Sequence, residues 1–145
     1  MPLKNFGSIL NFAADMEVAD RDFYQAAAAN ATNARHKAIL EELAEGNKKN
    51  EKLMRLTCRE SVCEMILEPI VDFTRDPFLS DRTGADKMEL DLVLAKALEL
   101  ETKAEKFYGE AAEKIRALPE VSRALTKGGK RRAEHKARLQ SLSGK

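Results

Sequence analysis

Residues 43–50 read LAEGNKKN, and residues 125–132 read LTKGGKRR. The offset is constant, 125 − 43 = 82; Leu43/Leu125, Gly46/Gly128 and Lys48/Lys130 are identical, and Lys49/Arg131 agree in charge. A second pair extends the relation. DMEVADRDFYQAAA (15–28) aligns with ELETKAEKFYGEAA (99–112) at a shift of 99 − 15 = 84. Glu17 then falls on Glu101, Phe23 on Phe107, Tyr24 on Tyr108, Ala27 on Ala111 and Ala28 on Ala112. Two segments recurring in the same order predict an internal duplication with pseudo-two-fold symmetry.

Both repeated segments carry helical periodicity, and no stretch shows convincing strand alternation. The first helix is expected from about Phe6 to Ala31, with apolar residues at Ile9, Phe12, Met16, Ala19 and Phe23. The second runs from about Ala34 to Thr57 after the turn-forming NATN, and the third from about Ala85 to Ala117. Pro119 suits a first helical turn and opens a fourth that runs to about Leu142. Short first and third links predict two antiparallel helix hairpins. Between them, residues 58–84 hold CEMILEPIVDF and DPFLSDRTG, read as a short helix ending near Pro69 and then an extended crossover. Two hairpins joined by a long crossover is the connectivity of ferritin-like bundles, so the expected fold is all-α, a ferritin-like four-helix bundle in up-down-down-up order.

The chain, 145 residues and 16.2 kDa, reads as a single domain over 1–145, long enough to bury a core. Its formal net charge is +1, so bulk electrostatics favour neither nucleic acid nor an anionic membrane. No apolar run approaches the roughly 20 residues of a membrane helix, and MPLKNFGSIL lacks a signal-peptide core. The expectation is a cytoplasmic protein. The two cysteines, Cys58 and Cys63 in CRESVC, fall short of the four ligands of a structural zinc or rubredoxin-type iron site. They read as thiols of a connecting segment, a local disulfide being the alternative.

The glutamate seven residues before the tyrosine of a Phe-Tyr pair, once in each half, resembles the rubrerythrin branch of the ferritin-like superfamily over nearly the whole chain. In that family one Glu from each of two helices and a Glu-x-x-His from each of the other two hold a di-iron centre. The resemblance assigns Glu17 and Glu101 to the lone-glutamate positions. Where the family typically reads L-A-E-E-E-x-x-H, this chain reads LAEGNKKN, which puts Asn47 at the ligand glutamate and Asn50 at the ligand histidine. In LTKGGKRR, Gly129 and Arg132 stand at those positions. Two of six implied ligands, Glu17 and Glu101, therefore survive, and both Glu-x-x-His motifs are lost.

These substitutions lie at steps of three and four from Leu43, Met54, Leu125 and Leu139, on the interior stripes. Polar groups there are costly unless satisfied. Asn coordinates weakly, Gly offers no ligand, and a permanently cationic Arg repels metal. Asp20 falls inside the apolar arc of helix one, where its repeat partner is Ala104. The expectation is that Arg132 occupies the old metal cavity, bonded to Glu17, Glu101 or Asp20, with Asn47, Asn50, Tyr24 and Tyr108 completing the network. In the alternative, Arg132 snorkels outward and Glu17 faces solvent. The mid-helix glycines Gly46, Gly128 and Gly129 signal close packing, room for the arginine, or a local kink. His135 reads as a partly exposed bundle residue, or as part of a relocated site with Glu17 and Glu101. His36 reads as surface.

The functional expectation is a protein whose di-iron site is largely lost: a non-catalytic binding, scaffold or stress-associated protein with no cofactor. The alternative is a metal-dependent oxidoreductase of peroxidase or oxidase type, or an iron-binding protein, using a shifted or reduced iron site; no rubredoxin-like cysteine module accompanies the bundle as an electron relay. The family implies a homodimer, and CEMILEPIVDF reads as a lid or a dimer contact. The basic run KGGKRRAEHKAR (127–138) reads as a solvated face rather than a nucleic-acid site.

Overall fold

The computed structural model describes residues 3, 6–30, 34–60, 73–84 and 87–143. Four long helices carry the chain: α1 (Phe6–Asn30), α2 (Ala34–Glu60), α3 (Leu90–Lys114) and α4 (Pro119–Ser143). A one-turn 3-10 helix spans Asp76–Phe78, and the described residues contain no strand. The helices pack chiefly as two pairs, α1 with α2 and α3 with α4, an arrangement compatible with a four-helix bundle. Side-chain contacts give their directions. Asn47 and Asn50 meet Glu17, Arg132 meets Glu101, and Arg138 meets Glu42 while Asn50 meets Gly128. Tyr24 reaches Glu101 while Tyr108 reaches Glu17. Hence α1 runs antiparallel to α3 and α2 antiparallel to α4.

Apolar residues at three- and four-residue steps face inward and form two clusters. One gathers Ile9, Phe12, Met54, Phe73, Phe78, Phe107 and Leu125; the other gathers Phe23, Ile39, Leu43, Val93, Leu100 and Leu139. Between them lies a layer in which every buried charged or amide group of the described residues sits: Glu17, Asp20, Asn47, Asn50, Glu101, Arg132 and His135. Burial on both sides removes this layer from water, so its members must satisfy one another.

Several boundaries differ from those the sequence predicts. Helix three begins at Leu90 rather than Ala85, because Glu89 is extended (φ −70°, ψ 155°) and Asn30 Nδ2 holds the Met88 carbonyl at 2.9 Å. Gly84, at φ +86°, turns the chain just before. The same helix stops at Lys114, since Ile115 leaves the helical region and Leu118 N–H closes a turn onto its carbonyl. Pro119 then starts α4, and Ser122 Oγ donates to the Ala112 carbonyl at 3.0 Å, tying the two helix ends together. Helix two runs on to Glu60, so Cys58 is a half-buried helical residue rather than part of the connecting segment. The short helix expected up to Pro69, and Cys63, lie outside the described residues. Residues 73–84 of the crossover pack on the bundle through Phe73 and Phe78, whose rings meet Phe107 at 5.9 and 5.3 Å.

Candidate functional site

The centre of the polar layer is the Arg132 side chain, the largest fully buried one among the described residues. Its Nη1 donates to Glu101 Oε2 at 3.0 Å, its Nη2 donates to Asp20 Oδ2, and its Nε lies 3.5 Å from Glu17 Oε2. A planar fork thus points at three carboxylates from two other helices, an arrangement only a guanidinium can fill. Burial acts to lower the Arg132 pKa, but Glu101, Glu17 and Asp20 together push it well above the ordinary guanidinium value. Arg132 is a fixed cation.

Around it the two halves make matching contacts. Tyr24 of α1 donates to Glu101 of α3 at 2.5 Å, and Tyr108 of α3 donates to Glu17 of α1 at 2.5 Å. Repeat-equivalent tyrosines reach repeat-equivalent glutamates across the bundle. Burial, and then the adjoining carboxylate, raise both phenol pKa values well above normal, which keeps them protonated as donors.

Glu17 also accepts from Asn47 Nδ2 at 2.8 Å and Asn50 Nδ2 at 3.0 Å. Asn50 in turn donates to the Gly128 carbonyl at 3.3 Å and accepts from Arg131 Nη1 at 2.8 Å. Burial raises the Glu17 pKa against the opposing pull of Arg132, Tyr108 and Asn47. Glu17, Asp20 and Glu101 face Arg132 and, from the crossover, Arg82, and the Asp20 charge adds to the effect of burial on Glu17. Three carboxylates stand against two guanidiniums.

Arg82 is the participant that sequence reasoning missed. Its Nε donates to Asp20 Oδ1 at 2.6 Å, and its Nη1 caps the Ser80 carbonyl at 3.1 Å. Asp20 therefore bridges an arginine of α4 and an arginine of the crossover. No periodicity marks a loop residue 62 positions from its partner, and the sequence accounts for Asp20 through Arg132 alone.

The glycines make room for neighbouring helices. A Cβ on Gly46 would lie 2.2 Å from His135 Nε2, and one on Gly128 would lie 3.0 Å from the Tyr108 ring. A Cβ on Gly129 would lie 3.1 Å from Tyr108 Cβ. Close packing is thus the reason for these glycines, and the small residues accommodate an imidazole and a phenol rather than the arginine. His135 is buried, not partly exposed as the sequence suggests; its Nδ1 lies 3.4 Å from Glu101 Oε2 and its far edge fills the space above Gly46. His36 is half-buried at the start of α2, away from this layer.

The donor set answers whether divalent cations fit here. Glu17 and Glu101 share the cavity, but each already binds a tyrosine and faces the guanidinium, and both asparagines turn their amide N–H groups toward Glu17 while Asn50 Oδ1 is taken by Arg131. Among the described residues no group of three or more His, Cys, Asp or Glu side chains is placed to hold a metal ion. A cation entering between the two glutamates would meet the guanidinium directly, so these residues do not fit a di-metal centre. No helix among the described residues is long and apolar enough to cross a membrane. Compared with known protein families, with curated proteins and with solved structures, the chain matches none.

Proposed function

We propose that this chain is a rubrerythrin-like member of the ferritin-like superfamily in which an internal arginine salt-bridge network has taken the place of the di-iron centre, leaving a non-catalytic binding or stress-associated protein. The observation that carries the reading is the Arg132 guanidinium buried against Glu17, Asp20 and Glu101. The family's two lone-glutamate positions hold the only members of its ligand set, and both now serve the cation. Asn47, Asn50 and Gly129 at the remaining positions supply either hydrogen-bond donors or space. A homodimer in the cytoplasm belongs to the same proposal, and light scattering of the purified protein tests the dimer.

Metal analysis of protein purified without chelator decides the matter. The expected result is far less than one equivalent of iron, manganese or zinc, with helical circular dichroism unchanged in excess chelator. Stoichiometric metal that disappears in Glu17→Ala or Glu101→Ala would overturn the reading. Restoring the family's ligands with Asn47→Glu, Asn50→His, Gly129→Glu and Arg132→His is expected to create metal binding where the natural chain has none.

The rival reading, an oxidoreductase or iron-binding protein with a shifted site, draws its one support from His135 Nδ1, which faces Glu101 without a hydrogen bond. Metal held by the natural chain and lost in His135→Ala would favour it.

A further inference from the structure

The two basic runs lie some 80 residues apart in the chain, and the fold merges them. Antiparallel packing of α2 on α4 sets Asn50 against Gly128 and Arg131, and Gly46 against His135. The C-terminal half of α2 therefore lies beside the N-terminal half of α4. The first contributes Lys48, Lys49, Lys52, Arg55 and Arg59, all exposed. The second contributes exposed Arg123 and Lys127 and half-buried Arg131, with no acidic residue anywhere from 121 to 133; Lys130 lies on the far side of α4, in the α3–α4 groove with Glu105 and Glu113. Lys49 borders both the groove between α1 and α2 and the groove between α2 and α4, so the surface is continuous across them.

The opposing charge between Lys48 and Arg59 is already engaged. Glu51, the acid of that stretch, is paired with Arg21 and Arg55. No carboxylate among the described residues pairs with Lys48, Lys49, Lys52, Arg123 or Lys127. Of the other acids of these two helices, Glu41, Glu42, Glu45 and Glu134 lie toward the other end, while Glu60 ends α2 and Glu120 stands in the first turn of α4. A chain of net charge +1 thus carries a strongly cationic face, which its composition conceals. Taken alone, each run is an ordinary solvated stripe; brought side by side, they make a field.

We infer that this basic surface, running from the α1–α2 groove lined by Lys48, Lys52, Arg55 and Arg59 across Lys49 to the N-terminal half of α4, binds the phosphate backbone of duplex nucleic acid without reading its sequence. The cations stand on rigid helices: from Lys48 to Arg59 is about 16 Å at ~1.5 Å per residue, with a positive side chain every three or four positions. A duplex offers about one negative charge per 1.7 Å of axis, opposite in sign and denser than the cations, so each can meet a phosphate without moving parts. Single strands are a poorer fit, because no Phe or Tyr among the residues whose side chains are described is exposed to stack on bases. An anionic membrane is also poorer, since the patch offers Leu56 as its one large exposed apolar side chain among the described residues, too little to insert. The inference stands apart from the fate of the metal site and does not depend on it.

Fluorescence anisotropy of a labelled mixed-sequence duplex of about 20 base pairs, titrated with the full chain, tests it. Binding is expected with a dissociation constant in the micromolar range at about 50 mM salt, weakening with a log–log salt slope of about −4 to −5 for roughly five phosphates. Lys52→Glu with Lys127→Glu is expected to weaken binding at least tenfold and flatten that slope, with circular dichroism unchanged. Lys106→Glu, an exposed site on α3, is expected to leave it unaltered. No binding at about 100 µM protein and low salt, or equal binding by the Lys52/Lys127 variant, would overturn the inference. So would tighter binding to single strands, or capture by phosphatidylserine vesicles or polyglutamate with the duplex left free.

Discussion

Arg132 Nη1 and the Tyr24 hydroxyl converge on one oxygen, Glu101 Oε2, at 3.0 and 2.5 Å. The oxygen thus receives a cation from α4 and a phenol from α1, and three helices meet at a single atom. The energetics of such a point are asymmetric. A complete buried network need not exceed an apolar core in stability, but breaking one member exposes the rest as unpaired charge.

Arg132→Met should therefore destabilise the protein by about 3–5 kcal/mol in urea unfolding, because Glu17, Asp20 and Glu101 lose their shared cation. Arg132→Lys should recover only part of this, since an ammonium cannot address three carboxylates in a plane. A variant as stable as the parent would show that the guanidinium contributes nothing to the core.

Asp20→Ala, which restores the residue of the other repeat, should cost stability in two places. Arg132 loses one of its acids, and Arg82 loses the contact that ties the crossover to α1. Amide hydrogen exchange around residues 80–84 is expected to rise by an order of magnitude or more, the local opening free energy there falling by about 1–3 kcal/mol. Unchanged exchange in that segment would mean Arg82 is not what holds it.

Much of this layer can be read from the sequence, and the boundary of what can be read is physical. The repeat places Tyr24, Glu17, Tyr108 and Glu101 at matching positions, and the three- and four-residue steps put Asn47, Asn50 and Arg132 inside. Arg82 is invisible because loop residues obey no period. The fit of His135 over Gly46 depends on the register between two helices 89 residues apart (135 − 46 = 89), which side-chain packing fixes and neither segment encodes alone. The early start expected for helix three failed for a similar reason: Asn30 holds the Met88 carbonyl from a different helix.

Gly46→Ala tests that register. Helix propensity alone favours alanine by about 1 kcal/mol, but the new Cβ would overlap His135 Nε2. Net destabilisation of about 1–3 kcal/mol is expected, measured by chemical denaturation. In a His135→Ala background the same change should become neutral or stabilising, and the coupling energy of the double-mutant cycle reads the contact directly. Additive effects would show that the two helices do not meet there.

Stability should also carry a signature of Glu17. Its folded pKa lies above the ordinary 4.5, because burial outweighs Arg132 and the hydrogen bonds. The folded state then binds the proton more tightly than the unfolded chain, so this group favours folding at low pH and the advantage fades as pH rises from about 4.5 through the raised value. Against Glu17→Gln, the natural chain should lose relative stability across that window, at up to about 1.4 kcal/mol per pH unit. A difference that does not vary with pH would place the surplus proton elsewhere.

The exchanged tyrosine–glutamate contacts look like two interchangeable halves, yet the halves are no longer equivalent in what they bring. A pair of α1–α2 hairpins would seal four acids (two each of Glu17 and Asp20) with no arginine of α4 to meet them; a pair of α3–α4 hairpins would crowd two copies of Arg132 around two of Glu101. Only one unlike hairpin of each kind closes the interior. The two similar halves are thus obligate complements, and the crossover that joins them enforces their one-to-one stoichiometry.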